Sequence, residues 1–458
     1  MKQTLEELML NNIETSDWVE GNFGNIDFND RRLSKRLVKI TKCMAARPEG
    51  SIPKQMECWH DTKACYNFLN HKKVSHKKVQ QAHRTRVLKD VSDAKVVLFP
   101  QDTTELDYTN LKATKNLGFI GNHNTKGFML HSCLAIKPNK LNPEVIGLAN
   151  QIIWGRKNES SNKNETKTAR NKRAKESDVW LKNLKNIGSP LDGCVWVSVG
   201  DRANDIYEYF LGAKELGWES IVRACQDRKV TIKGKQTYLM QYMRCLPNMG
   251  TKTIKTRQKG DTKEKEIKLK ISWEPVVTIH APLRLNRKTQ SICLSAIRCW
   301  NEEEDIEWVM YSSIPVNNIE EACEKIDWYA CRWIIEEYHK CIKTGCQLEL
   351  RQLESGKALK NLIGILSIIG LLMLRLRNIA RTDSDRPASE VVEKDALKII
   401  EKRYNLGSNI SVGVFWKSVA RLGGFLGRKN DGEPGWQTLW QGWLRLLDML
   451  WSYKLLSC

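Results

Sequence analysis

Apolar residues recur at three- and four-residue intervals through the first ninety positions. In FNDRRLSKRLVKITKCMAARP, Leu33, Leu37, Ile40 and Met44 fall on one side of a helix, with Arg31, Arg32, Lys35 and Arg36 crowding its start. Pro48, Gly50 and Pro53 interrupt it, and further helical stretches are predicted at 54–69 and 75–90. From about residue 93 the period shortens. AKVVLFPQDTT is a short β-rich run predicted to break at Asp102, and GFMLHSCLAI and EVIGLANQII read as further strands. A helix near 176–184 leads into CVWVSVGD, a buried strand ending on Asp201. A helix through IYEYFLGAKELG and a strand in WESIVRAC follow. Strands alternating with helices imply an α/β fold with a mixed sheet. Residues 226–317 interrupt that alternation with Thr/Val/Ile/Lys-rich runs and polar turns, an inserted antiparallel sheet. One long helix is predicted from near 318 to about 343; the remainder is helical, with a loop-and-helix connector at 382–410. The longest apolar run, 362–374, is too short to span a bilayer and reads as a buried helix.

Charge narrows the choice of partner. The chain of 458 residues carries a formal net charge of +21, which fits a polyanion because Lys and Arg gain affinity by displacing counterions from phosphates. A solvated basic surface is the bland alternative. The stretch 156–175 holds eight basic and two acidic residues and reads as a Lys-rich loop. Fourteen cysteines raise the question of a metal or disulfide framework, but none forms a CxxC pair, and Cys341 and Cys346 lack partners at zinc spacing. They are expected to be reduced, mostly buried and inert. The N-terminus lacks the apolar core of a signal peptide, so a cytosolic protein with no membrane association is expected.

The candidate chemistry lies in carboxylates. Asp102 and Asp201 each close an apolar strand, and side chains at strand ends project into the crevice where α/β sheets place ligands. On neighbouring strands they can share a hard cation such as Mg²⁺, with substrate phosphate completing the shell. Either Asp alone reads equally as a turn or helix cap. A third acid comes from DWYACRWIIEEYHKCIKTG. On a continuous helix Tyr329, Arg332, Glu336 and Lys343 fall within roughly 60° of one another, a single polar stripe. An acid flanked by a phenol, a guanidinium and an ammonium suits a metal held beside phosphates. An ordinary solvated helix face with i,i+4 pairs is the alternative.

Tyr329-x2-Arg332-x3-Glu336-x6-Lys343 is similar to the signature of the DDE transposases of the insertion-sequence-four family, which includes the transposon-five enzyme. QDTT around Asp102, GFMLHS, VGDRAND around Asp201, IVRA around Arg223 and RLGGFLGRKNDGEPGWQTLWQGWLRL resemble the family's blocks in order. FGNIDFNDRRLSKRL and SIPKQMECWHDTKACYNFL resemble its DNA-binding region, so the resemblance covers nearly the whole chain. It implies an RNase H-like catalytic core with a β insertion before the glutamate helix. Asp102, Asp201 and Glu336 fall on the acidic triad, which would hold Mg²⁺ or Mn²⁺. Tyr329, Arg332, Lys343 and Arg223 fall on residues that position phosphates of the transposon end. Trp308 matches an aromatic that receives a flipped base, although a lone Trp on a strand is often core. Trp436, Trp440, Trp443 and Trp451 lie in a segment resembling the dimerisation region. Ala203 stands where a relative carries an acid.

The expected organisation is a helical DNA-binding domain at 1–90, an RNase H-like mixed-sheet catalytic domain at 91–380 with its insertion at about 226–317, and a helical dimerisation region at 381–458. The basic N-terminal residues Arg31, Arg32, Lys35 and Arg36 are DNA-binding candidates, though a helical cap on the next domain would read the same. The resemblance implies cut-and-paste transposition by a homodimer on double-stranded DNA, at transposon ends and target alike. It includes hairpin formation and 3′-hydroxyl joining, in a bacterial, cytoplasmic, nucleoid-associated setting. The competing readings are a non-catalytic transposase-derived DNA-binding regulator and an RNase H-like nuclease without strand transfer.

Overall fold

A computed structural model describes residues 18–121, 124–139, 143–156, 175–256, 265–282, 290–381, 384–390, 392–428 and 431–456. Nearly all of the Lys-rich loop lies outside these residues. Helix α1 (Arg31–Ala46) starts where the Asp30 side chain accepts the Arg32 N–H, an ordinary N-cap, and it buries Leu37, Ile40 and Met44. α2 (Trp59–Asn70) and α3 (Gln81–Val91) follow, each preceded by a single turn, Ile52–Gln55 before α2 and His76–Val79 before α3.

The central sheet begins with β1 (Val96–Asp107), β2 (Gly118–Ile120), β3 (Thr125–Lys137) and β4 (Glu144–Trp154). After α4 (Val179–Ile187) come β5 (Val195–Gly200), α5 (Tyr207–Glu215) and β6 (Glu219–Arg223). β4, β3 and β1 are antiparallel, whereas β1, β5 and β6 run parallel, giving the mixed sheet that the sequence pattern implies. β5 reads as a near-continuous apolar run because both of its faces are covered.

β1 does not break at Asp102. Its ladder with β5 ends at the pair Pro100↔Val199, where proline has no N–H to give, but pairing with β3 continues from Asp102↔Ser132 to Asp107↔Gly127. Asp102 is therefore mid-strand, at the point where β1 outruns its parallel neighbour.

The insertion comprises β7 (Lys229–Ile232), β8 (Lys235–Tyr238), α6 (Leu239–Cys245), β9 (Gly250–Thr256), β10 (Lys265–Ile279), β11 (Ile292–Asn301) and β12 (Ile306–Ser312). It is antiparallel as expected, but it contains a helix and is not a separate sheet. β12 pairs antiparallel with β6, so the described strands form one twelve-stranded sheet. That pairing occupies an edge of β6 that would otherwise present free backbone groups.

Side-chain parity divides the sheet into two packed faces. Val97, Phe99 and Trp196 join α3, α4 and α5 on one side. Leu98, Leu106, Val197 and Val199 pack on the other side with α7 (Ile319–Ala330), α8 (Trp333–Lys340) and α9 (Gly356–Arg381). α1, α2, α10 (Lys394–Tyr404), α11 (Val412–Leu422) and α12 (Trp436–Leu456) complete that second core. The N-terminal helices thus pack into the same core as this face of the sheet. In α9, Gly356–Asn378 is long and apolar enough to cross a membrane, but 89% of its most apolar window is buried within the protein, as a core helix would be. All thirteen described cysteines are free; six are buried and four exposed, so burial is less general than expected.

Candidate active site

Residues of even number on β1 and of odd number on β5 share a face, as Leu98 and Val197 show by joining the same core. Asp102 and Asp201 inherit that face, the one on which α8 packs. The β1–β5 register, from Val96↔Val195 to Pro100↔Val199, brings Asp102 level with Asp201 when continued two residues. Asp201 caps a single 3-10 turn, Arg202–Asn204, by accepting the Ala203 N–H at 2.9 Å. The Asp102 carboxylate accepts the Thr103 N–H at 2.7 Å. The bland reading of a cap is therefore realised at Asp201 alongside the shared face, whereas Asp102 sits within a strand and not at a turn.

Glu336 lies in the first turn of α8 and lines the same cleft as Asp102, a solvent-open space of about 470 Å³ that also takes in Thr104, His339, Lys340 and Lys343. Burial, then the neighbouring Asp201 carboxylate and more weakly Glu336, push the Asp102 carboxyl up to about 6, against the opposing Arg332 guanidinium. Arg332 meets Glu336 at 2.5 Å. Among the described residues, no group of three or more His, Cys, Asp or Glu side chains is arranged to hold one metal ion. Asp102 and Glu336 line the cleft, Asp201 lies near enough to raise the Asp102 carboxyl without lining it, and Glu336 is drawn to a guanidinium. Their oxygens remain the hard donor type that Mg²⁺ takes.

Tyr329, Arg332, Glu336 and Lys343 do not ride one continuous α-helix. The backbone tightens between α7 and α8, where Arg332, Ile334 and Ile335 donate to the carbonyls of Tyr329, Cys331 and Arg332. It then widens into a π turn at Cys341–Gly345 that carries Lys343. The two halves answer to different neighbours: Tyr329 is buried against Trp308, with ring centroids 5.7 Å apart, while Glu336 is tied to Arg332. Ile334, Ile335 and Trp328 pack, as expected.

Arg223, Tyr329 and Arg332 form an adjoining cluster. Arg332 lies 5.9 Å from the centre of the Tyr329 ring, and burial raises the Tyr329 phenol against the opposing charges of Arg332 and Arg223. Arg223 donates to the Glu307 carbonyl at 2.9 Å, next to half-buried Trp308 on β12. Lys343 sits 3.4 Å from Glu349. Arg31, Arg32 and Lys35 are exposed on α1; Arg36 pairs with Asp61 at 3.2 Å and Arg32 with Asp30 at 3.3 Å. In α12, Trp436, Trp440 and Trp443 are buried and Trp451 is exposed. His339 and Glu349, both lining the cleft, were not anticipated. No spacing in the sequence signals Glu349, which reaches the site from a one-turn helix after the π turn.

Three family profiles match this chain: "Transposase DNA-binding" over residues 15–74, "Transposase DDE domain" over 195–372 and "Transposase Tn5 dimerisation domain" over 368–450. The chain is a DDE transposase resembling the Tn5 enzyme, and the insertion-sequence-four family is consistent with all three matches. The DDE match implies an RNase H-like fold, in keeping with the mixed sheet. It spans Asp201 and Glu336, whereas Asp102 lies outside it.

Proposed function

We propose that this transposase cleaves the ends of its own mobile element with Asp102, Asp201 and Glu336 and joins the 3′-hydroxyls to target DNA. The carrying observation is the register that sets Asp102 level with Asp201 on the face bearing Glu336. The three carboxylates would hold Mg²⁺ or Mn²⁺, which supplies activation of the attacking water or hydroxyl and stabilisation of the leaving oxygen. Arg332, Lys343 and Arg223 grip phosphates beside the scissile bond, and Arg332 releases Glu336 as the DNA phosphate takes its place. Half-buried Trp308 offers a ring to an unstacked base, which supports a hairpin step on the excised end, and Tyr329 helps position an end phosphate beside Arg332. The N-terminal module at 1–90, through Arg31, Arg32, Lys35 and Arg36, binds the end repeats, and the 381–458 region pairs two protomers across two ends. Cut-and-paste transposition in a bacterial cytoplasm is the setting we infer.

Asp102→Ala, Asp201→Ala and Glu336→Ala each abolish metal-dependent nicking of end DNA while leaving end binding within about threefold in a mobility-shift assay. Normal strand cleavage by any of the three would remove that residue from the site. Release of a nick without joining to a second duplex would instead favour a nuclease.

A further inference from the structure

The face of the sheet opposite the carboxylates carries a buried polar chain that the proposed chemistry does not use. Gln101 and Thr103 flank Asp102 and, by parity, point away from it. Both meet His131, which stands opposite Thr103 in the β1–β3 register. The Thr103 hydroxyl lies 2.7 Å from His131 Nδ1, and His131 Nε2 lies 2.9 Å from Gln101 Oε1. Gln101 Oε1 also accepts from Asn183 Nδ2 at 2.9 Å on α4, and its Nε2 donates to Ser198 Oγ at 2.8 Å on β5. Tyr209 on α5 donates its hydroxyl to the same Ser198 oxygen at 2.6 Å. Trp180 stands edge-on to the imidazole, 4.9 Å between centroids.

The hydrogen-bond logic has one sense. A carbonyl oxygen only accepts, so His131 donates from Nε2, and its Nδ1 must then accept from the Thr103 hydroxyl. His131, Gln101 and Ser198 are all fully buried, so the ties to Gln101 are shielded from exchange with water, while half-buried Thr103 joins the chain at the edge of the cleft. The chain therefore begins at Thr103, whose own N–H is bonded to the Asp102 carboxylate, and ends three residues before Asp201.

We propose that the relay Thr103–His131–Gln101–Ser198 positions the Asp102 carboxylate against Asp201, with His131 as its central positioning residue. This rests on the reading of Asp102 as a metal ligand. Beyond Pro100 the β1–β5 ladder gives no further pairs. The Gln101–Ser198 bond adds a side-chain link between the two strands at the end of that ladder, just short of the aspartates. Outer hydrogen bonds of this kind set ligand orientation in metal sites, and their loss typically costs 10–100-fold in metal affinity or activity.

The test uses the full chain bound to its end duplex, with Mn²⁺ affinity measured by electron paramagnetic resonance, end binding by mobility shift, and thermal midpoint. Thr103→Val keeps volume and removes only the hydroxyl; Thr103→Ser restores it. We expect Thr103→Val to weaken Mn²⁺ about 10–100-fold with end binding and midpoint near wild type, and Thr103→Ser to recover the affinity. Should Thr103→Val fail to fold, Ser198→Ala, which cuts the relay at β5, is read in its place with the same expected loss. Wild-type Mn²⁺ affinity in the variant, or no recovery in Thr103→Ser, overturns the relay. Asp102→Ala separates the two ideas: if it loses Mn²⁺ while Thr103→Val does not, only the relay falls. If Asp102→Ala binds Mn²⁺ normally, the ligand assignment itself falls.

Discussion

Arg332 holds Glu336 at 2.5 Å and faces Asp102, so the protein itself balances part of the negative charge in its cleft. Lys343 has a looser counterpart in Glu349 at 3.4 Å and is free to turn toward a phosphate at small cost. Lys343→Ala should lower end affinity across unrelated duplex sequences alike and reduce the slope of log affinity against log salt by about 0.9, as loss of one phosphate contact would. Equilibrium binding between low and moderate salt checks this; an unchanged slope would remove Lys343 from the contacts. At this scale the sequence was informative where chemistry follows from residue type and parity. Asp102 and Asp201 could be placed on one face once two neighbouring strands were recognised. The His131 tie to Thr103 and Gln101 could not, because it depends on which strand lies beside β1.

The elements show the same division. Apolar periodicity located α1, β3, β4, β5 and α9 well, since each buries a regular stripe or run. It failed where pairing or packing overrode local pattern: at Asp102, where β3 carries β1 onward, and at Cys331–Arg332, where neighbours on two sides tighten a helix. It also could not tell a separate inserted sheet from an extension of the core sheet, because antiparallel strands look alike in either. The crossing of α11 and α12 depends on a feature that sequence hints at only as glycine. A Cβ on Gly442 would stand 1.8 Å from the Val419 carbonyl oxygen, and one on Gly423 would stand 1.9 Å from that of Thr438. The two backbones touch, beside the tilted pair of Trp416 and Trp443 at 5.4 Å. Gly442→Ala should force the helices apart and destabilise this region by about 1–3 kcal/mol. Denaturant unfolding followed by tryptophan fluorescence measures it, and a change under about 0.5 kcal/mol would mean that the contact yields freely.

Across the whole molecule, the N-terminal helices, the sheet and the C-terminal helices share one continuous core, so the DNA-binding and catalytic parts are packed together. Among the described residues four histidines are sealed inside: His76, held down to about 4, and His83, His131 and His339, held down to about 3, in each case chiefly by burial. In the unfolded chain each titrates near 6.5, so below that pH the unfolded state binds protons that the native state refuses. Stability is unaffected above about pH 6.5 and falls steadily as pH drops from there toward 3–4. At pH 5 the loss is about 2 kcal/mol per histidine, which is large against a typical total of about 5–15 kcal/mol. Denaturant midpoints at pH 7.5 and pH 5 should differ accordingly, and equal midpoints would show that these rings are not sealed.

The charge of +21 and the basic face of α1 fit a protein that lies along DNA, and the three family matches give that fit its identity. The remaining question is whether the acids act together. The direct measurement is anomalous X-ray scattering from Mn²⁺ in crystals of the chain with its end duplex. The account expects manganese bound by Asp102, Asp201 and Glu336, with Glu336 released from Arg332. Manganese bound elsewhere, or Glu336 still paired with Arg332 while the DNA is engaged, would contradict it.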